Sequence, residues 1–572
     1  MAIEYEVEAE TQAEREITLT TLNTAQLLEQ QCAQCPDKEA VLSKWQGVSL
    51  TYETLYKTTR EIAATLLRHG VRPGDRIVVL AGNSLEYVQL FFAVSAIGAI
   101  FTIINPTFTP DEIIPTIEFV EPTAIFVADR IGYRKYGPLI ADIAKKRQSA
   151  SLVVQLGSSP TVDGVRSWEE FLHPDQEGGA VQDPSIVSSY WGRSNPNDPM
   201  CIQFTSGTTG ARKAAMLSHS NLLNNALLVG HRLRLISEDK ILCCSPVFHC
   251  FGLVCGVLAA IIYGGTAVLP SDVFVAEASL RALSEDQCTV VHGVATMFQA
   301  MLDHPEAGKH APHVRLRTGI IAGSSLSPAL LARLESVFGF TGLAYGYGMT
   351  ELSCIVFLTD PNEVSLVKEH TSVGKVMPLT AARVVDENLK TLPPGTAGEL
   401  LVSGYLVFQG YYKNPEKTAE ALVKDSEGRV WLRTGDLVTI DQAGRCTITG
   451  RVKDMIKRGG ENIFPGDIEP ILESHPDITA CAIVGVPDSY WGEIIVAFIQ
   501  GTKEAKCGPT LRKKALKLWL RHRLAPHKVP EHFFVLGSGG DVPDEMPINA
   551  TGKVLKRELR DIASCLLQGA GV

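Results

Sequence analysis

Between Phe204 and Asn221 the chain reads FTSGTTGARKAAMLSHSN. Thr205, Ser206, Thr208 and Thr209 offer hydroxyl donors. Gly207 and Gly210 let the backbone turn its N–H groups toward an anion, and Lys213 adds a mobile positive charge. Such a set suits a triphosphate. A P-loop would need a lysine directly after its second glycine, followed by Ser or Thr. Here Lys213 stands too far from Gly210 and Ala214 follows it, so the run reads as a phosphate cradle of another kind. A second group, YGYGMTE at 345–351, gathers aromatics, two glycines, a hydroxyl and a carboxylate at what reads as a strand end. Cys32 and Cys35 form a CxxC, but no second pair or nearby histidine completes a zinc site, so both read as structural thiols.

These residues need elements to hold them. From Leu50 onward helix and strand patterns alternate. LTYETLYKTTREIAATLLRHG is an amphipathic helix closed by Gly70, DRIVVLA a buried strand, SLEYVQLFFAVSAIG a helix, and AIFTII, TAIFVAD and SLVVQLG further strands. Alternation of this kind predicts an α/β fold with parallel-type sheets packed between helices. CIQFT delivers the phosphate run and SHSNLLNNALLVGHRL leaves it as a helix, which predicts a strand-to-helix turn, where α/β proteins place ligands. The polar stretch 157–199 reads as surface loop. Near residue 450 the texture changes to a small α+β unit, with strands in ITACAIVGVPDS and EIIVAFIQG and a basic helix in LRKKALKLWLRHRL. The expected organisation is an acidic, disordered stretch over 1–24, a large domain over 25–450 and a small one over 451–572.

Bulk properties narrow the function classes. The chain has 572 residues, 45% hydrophobic and 20% charged, with a net charge of −10. That length predicts more than one domain. The negative charge argues against nucleic-acid binding. From Arg451 onward Lys and Arg exceed Asp and Glu by 2 (17 against 15), so the first 450 residues carry −12 (36 against 48). An anionic ligand must therefore be met by local groups. The 13 cysteines, an odd number with no signal peptide evident, predict free thiols and a reducing compartment, the cytoplasm. The terminal GAGV is not the peroxisomal SKL address. The apolar runs 87–104 and 251–263 read as soluble core, not as transmembrane segments.

Four further segments complete a pattern with the phosphate run: YGYGMTE, GELLVSGYLVFQGYYKNPEKT (398–418), WLRTGDL with the stretch to Pro465, and PINATGKVLKREL (547–559). In identity, order and spacing they resemble the adenylate-forming superfamily of acyl- and aryl-CoA synthetases, peptide-synthetase adenylation domains and beetle luciferases. The similarity runs from Ala25 to Leu559 and is nearest to medium-chain acyl-CoA and 4-coumarate-type CoA ligases.

The resemblance implies residue roles. Thr205 to Gly210 and Lys213 would hold phosphates. Gly323, Ser324 and Ser325, with Gly346, Tyr347, Gly348 and Met349, would enclose adenine, Tyr347 packing on the base. Thr350 and Glu351 would sit at the phosphates, Glu351 holding Mg²⁺. Asp436 and Arg451 would clamp the ribose. Lys553 would steady charge as a carboxylate attacks the α-phosphate. His249 would lie between acyl pocket and thiol channel, with Phe248, Val294, Ala295, Met297, Ala344, Tyr345 and Met349 around an apolar pocket that carries no placed cation. Gly459 and Gly460 would pass pantetheine, Lys457 and Arg458 would meet CoA phosphates, and Lys453 would be the hinge on which the small domain turns. Two departures stand in the cradle: Arg212 replaces the family's proline and Ala214 its glycine.

The implied reaction is carboxylate plus MgATP to acyl-AMP, then CoA to acyl-CoA. A carrier-protein pantetheine is the alternative acceptor, and a non-catalytic ATP or acyl binder the non-enzyme reading.

Overall fold

The computed structural model describes residues 7–8, 17–146, 150–160, 162–173, 185–205, 213–323, 328–363, 372–459, 461–502, 511–539, 541–548 and 554–569. Two compact units emerge. The larger comprises Glu8–Ala381 and Ser403–Leu432; the smaller takes Met1–Val7, Ala382–Val402 and Arg433–Val572.

The described residues of the larger unit include two large sheets and a two-stranded one, Arg130–Ile131 with Arg134–Lys135. In one large sheet, the strands Leu152–Leu156, Ala124–Ala128, Arg76–Leu80, Ile100–Ile103 and Pro199–Thr205 run parallel as neighbours. Val78, Leu80, Ile125, Val127 and Val153 from these strands join Ile113, Ile117 and Ile140 in one buried cluster. In the other, Leu343–Tyr347, Thr318–Ala322, Val290–Gly293, Lys240–Leu242, Thr266–Leu269 and Glu39–Ser43 are likewise parallel. Phe298, Leu334 and Val291 anchor its core. Near-continuous apolar strands of this kind need helices over both faces, as the alternating sequence implies. The helix Tyr52–Arg68 is capped by Thr51 and buries Leu55, Ile62, Leu66 and Leu67 against the helix Leu85–Ala96. Residues 17–24, expected within the disordered stretch, are tied down: the Thr20 N–H donates to Asn224 Oδ1 at 2.7 Å, and Asn23 caps the helix Thr24–Gln34.

Two local expectations are corrected. The phosphate run does not open straight into a helix. Lys213–Ser218 is a strand, antiparallel to Pro199–Thr205 with Thr205 opposite Lys213, and it pairs on its other side with Gly410–Tyr411. The two strands that flank the phosphate run therefore pair with each other. Ala214, Ala215 and Leu217 are buried, so this six-residue stretch finds its partners within the sheet. The helix His219–Arg232 follows, closed at its start by a reciprocal Ser218–Asn221 capping box. The polar stretch after Leu156 is also more structured than expected. It contributes the short strand Arg166–Ser167 and the helix Trp168–Leu172, and buries Phe171 and Trp191.

The apolar run after His249 forms a π-helix, Phe251–Leu258, with every side chain buried. A Cβ on Gly252 would lie 2.3 Å from the Pro246 carbonyl oxygen, so only glycine fits there. Among the described residues no helix is long and apolar enough to cross a membrane.

In the smaller unit, Ile478–Asp488 and Gly492–Gly501 form a long hairpin, with His532–Val535 parallel to the second strand and Ile456–Arg458 antiparallel to it. The helix Lys513–Arg521 turns Leu516 and Leu520 into this core. The last helix, Lys556–Gly569, contributes Leu559 and Ala563 to a second cluster.

Candidate active site

Glu351 is the centre of the larger unit's polar chemistry. It lies in a single 3₁₀ turn, Thr350–Leu352, directly after the strand Leu343–Tyr347, and is 6% exposed. Its Oε1 accepts from Thr205 Oγ1 at 3.2 Å and from Tyr411 Oη at 2.9 Å. Burial and the adjacent carboxylate hold the Tyr411 hydroxyl protonated, with a pKa well above the usual phenol range. The Lys213 ammonium stands 4.9 Å from the centre of the Tyr411 ring. The hairpin and the 3₁₀ turn thus bring Thr205, Lys213 and Glu351 together.

Tyr411 was missed as a site residue, although it stands in the quoted GYYKNPEKT segment. Its strand is only two residues long, and nothing in its local spacing reveals that it pairs with Ala215.

Glycines shape the turn before Glu351. A Cβ on Gly348 would lie 1.6 Å from the Cys354 carbonyl oxygen, and one on Gly346 within 3.1 Å of Leu358. Tyr347 packs against Phe357 with ring centres 6.4 Å apart. Tyr345 and Ala344 alternate across the strand and so face opposite sides; Ala344 is fully buried. Burial pushes the Tyr345 hydroxyl pKa up to about 12. Met349 is extended and leads into the turn at Thr350. Gly323, at φ +84°, ends the neighbouring strand, and its Cβ position faces Val294 at 3.4 Å. Val294 precedes the helix Ala295–Asp303, in which Met297 is buried.

His249 is partly exposed and flanked by buried Phe248 and Cys250. Its Nδ1 accepts the Phe251 N–H at 3.1 Å, so that nitrogen carries no proton and the neutral ring bears its hydrogen on Nε2.

The smaller unit holds a different arrangement. Asp436 and Arg451 are direct cross-strand partners in the hairpin of Val430–Ile440 and Cys446–Arg451. Arg451 Nε donates to Asp436 Oδ1 at 2.6 Å, and Asp436 is 2% exposed. Beside them Arg433 Nη2 meets Glu399 Oε2 at 2.6 Å, while Glu399 Oε1 accepts the Gly435 N–H at 3.2 Å. This second pair, which pins the turn before Asp436, was not foreseen. Lys453 lies in the short turn Val452–Asp454.

Arg458 is engaged within its own unit. It pairs with Glu531, donates to the His527 carbonyl at 2.6 Å and stacks 4.9 Å over Trp491. Lys457 is exposed. Gly459 has φ +57°, and a Cβ there would come within 2.9 Å of Trp491. Ser206, Gly207, Thr208, Thr209, Gly210, Arg212, Ser324, Ser325, Gly460 and Lys553 lie outside the described residues. Cys32 and Cys35 are free thiols at the end of the helix Thr24–Gln34.

Comparison with known proteins supplies the family. The AMP-binding enzyme family matches residues 28–412, and the AMP-binding enzyme C-terminal domain matches 467–553. Acyl-CoA ligase sidI of Aspergillus fumigatus is 38% identical over 96% of this chain and 92% of its own. The mitochondrial medium-chain acyl-CoA ligase ACSF2 of Danio rerio is 32% identical over 92% of this chain and 86% of its own. The ATP-bound crystal structure of MatB from Rhodopseudomonas palustris, 27% identical, superposes with a TM-score of 0.79 over 95% of this chain and 100% of that one. The chain belongs to the AMP-binding family of adenylate-forming enzymes and is one of its acyl-CoA ligases.

Proposed function

We propose that the chain activates a medium-chain aliphatic or aromatic carboxylic acid as acyl-AMP and passes the acyl group to CoA. The observation that carries this reading is the junction of Thr205, Lys213 and Glu351, where a phosphate-type hairpin meets a buried carboxylate. Both neutral donors bind one oxygen of Glu351, and its Oε2 has no hydrogen-bond partner among the described residues. A carboxylate with one free oxygen and no cation paired to it fits a hard divalent ion such as Mg²⁺. Bound there beside the triphosphate, Mg²⁺ would neutralise phosphate charge. Lys213 and the hydroxyls of the cradle orient the phosphates. Tyr347 offers its face to adenine.

Asp436 accepts the ribose hydroxyls while Arg451 supports it across the hairpin. Lys553 draws the substrate carboxylate and the α-phosphate together against their mutual repulsion, which is worth most where water is excluded. The small domain then turns about Lys453, removing Lys553 and bringing the Lys457–Gly460 loop to the adenylate for thiol entry. His249 borders both acyl pocket and thiol channel. The apolar lining of Phe248, Val294, Ala295, Met297 and Tyr345 favours a neutral tail over a diacid or amino acid. The free thiols support a reducing compartment such as the cytoplasm.

The test is acid-dependent pyrophosphate release across aliphatic and aromatic carboxylates, with and without CoA, with thioester read by mass. Pyrophosphate with acyl-CoA is the expected result and names the acid. Pyrophosphate without thioester would transfer the second step to a carrier protein. Pyrophosphate released only with amino acids or diacids would overturn the assigned substrate class.

A further inference from the structure

Asp436 is fixed from two sides. Across its own hairpin the Arg451 guanidinium holds the carboxylate. Its backbone is held from the neighbouring strand, Gly398–Gly404, by groups to which the proposed function assigns nothing. Thr434 Oγ1 donates to the Leu400 carbonyl at 2.9 Å and accepts the Asp436 N–H at 3.0 Å. Between Thr434 and Asp436, Gly435 has φ +69°, and a Cβ there would meet nothing within 4 Å. Glycine is therefore needed at that position for its backbone angle and not for room. The Gly435 N–H is accepted by Glu399 Oε1 at 3.2 Å.

Glu399 is itself a buried carboxylate, and a buried charge is tolerated only when it is paired. Arg433 supplies the partner with two nitrogens. Its Nη2 donates to Oε2 at 2.6 Å, and its Nε lies 3.1 Å from Oε2 and 3.3 Å from Oε1. Two nitrogens of one planar guanidinium restrict the carboxylate to a single orientation, with Oε1 turned to Gly435. Arg433 stands in the same strand as Asp436, Val430–Ile440, three residues before it. The contacts therefore form a closed circuit: Arg433 fixes Glu399, Glu399 fixes the Gly435 N–H, and the bend at Gly435 sets the direction in which Asp436 emerges.

We propose that Glu399 and Arg433 are positioning residues for ATP recognition: they set the Asp436 carboxylate at the angle from which it accepts the ribose hydroxyls, and so make binding depend on those hydroxyls. The inference rests on the ribose role given to Asp436 in the function proposed above. Neither residue has to touch the nucleotide. A hydrogen bond weakens steeply with distance and angle, and a supporting shell that leaves a group about 1 Å out of place forfeits most of its worth. Loss of either partner therefore removes the benefit of the ribose hydroxyls and leaves the contacts of adenine and the phosphates as they were.

The test compares the affinity of the full chain for ATP and for 2′,3′-dideoxy-ATP, which lacks both hydroxyls, by calorimetric titration. The parent should prefer ATP by about tenfold or more, and Asp436→Ala should bring the two affinities within about twofold of each other. Glu399→Ala and Arg433→Gln should reproduce that collapse through weaker ATP binding, with affinity for the dideoxy analogue unchanged. A residue that merely supports folding would lower both affinities together or neither. If Glu399→Ala fails to fold, the exposed Arg433 carries the test through Arg433→Gln. A full preference for ATP in Arg433→Gln, or a parallel fall in both affinities, would overturn the positioning role while leaving Asp436 its own. A parent without any preference would overturn the ribose role of Asp436 and the positioning role with it.

Discussion

Glu351 and Asp436 are both buried carboxylates, yet their surroundings are opposite. Glu351 is held by two neutral hydroxyls, from Thr205 and Tyr411, and meets no cation in an ion pair among the described residues. Asp436 is met by the Arg451 guanidinium at 2.6 Å, so its charge is cancelled where it stands. In the proposed function the first takes a cation and the second neutral hydroxyl groups. A buried charge is costly unless something neutralises it, which is why the proposed function assigns a cation to Glu351 and none to the paired Asp436.

Substitutions that separate charge from hydrogen bonding can break this contrast. Glu351→Gln keeps an acceptor for Thr205 and Tyr411 but removes the charge. It should lower acid-dependent pyrophosphate release by about 1,000-fold or more, with little change in thermal unfolding. Retention of activity would show that Glu351 holds no cation. Asp436→Asn removes the negative charge that the Arg451 guanidinium meets at 2.6 Å. Here we expect a rise of about 30-fold in KM for ATP, with kcat reduced less, together with a stability loss of up to about 3 kcal/mol in denaturant titration. A kcat effect as large as that of Glu351→Gln would erase the distinction between the two sites.

Tyr411→Phe sharpens the comparison, since it withdraws one neutral donor and leaves the carboxylate in place. Loss of one hydrogen bond to a charged acceptor is worth about 1.5–3 kcal/mol, and access of water offsets part of it. ATP affinity should therefore fall by about tenfold; an effect equal to Glu351→Gln would mean that Tyr411 acts on the phosphates directly. The smallest effect is one of pH. Burial lowers the pKa of His219 to about 4, beside Thr24 in the larger unit. The unfolded chain then binds a proton below about pH 6.5 that the folded chain refuses, so stability falls as pH drops from about 6.5 toward 4. At pH 5.5 this amounts to about 1 kcal/mol, visible as a lowered denaturation midpoint that His219→Gln flattens.

The helices of the larger unit were readable because the forces that make them are local. The helix Tyr52–Arg68 has its Thr51 cap, its apolar face and its closing glycine all in one run of sequence. The parallel strands were readable as short apolar stretches between helices. The hairpin of Pro199–Thr205 and Lys213–Ser218 was not. KAAMLS becomes a strand only because Pro199–Thr205 and Gly410–Tyr411 lie on either side of it, and the second partner is some 200 residues away. The Glu399–Arg433 pair escaped notice for the same reason, since two charged residues 34 positions apart carry no local signal.

Sequence by itself determined the chemical inventory: the hydroxyls and glycines of residues 205–210, Glu351, Asp436, Arg451 and Lys553, and the α/β alternation around them. Residue types and their order along the chain are enough for that, because each group's reactivity is a property of its own atoms. Tertiary structure decided which groups meet. It put the Tyr411 hydroxyl on Glu351, committed Arg458 to Glu531 and Trp491, and set the Cys354 sulfur against that of Cys255. Such pairings depend on strand register and on the burial of polar groups far apart in sequence. Both are fixed by the packing of the whole sheet, which no local window contains.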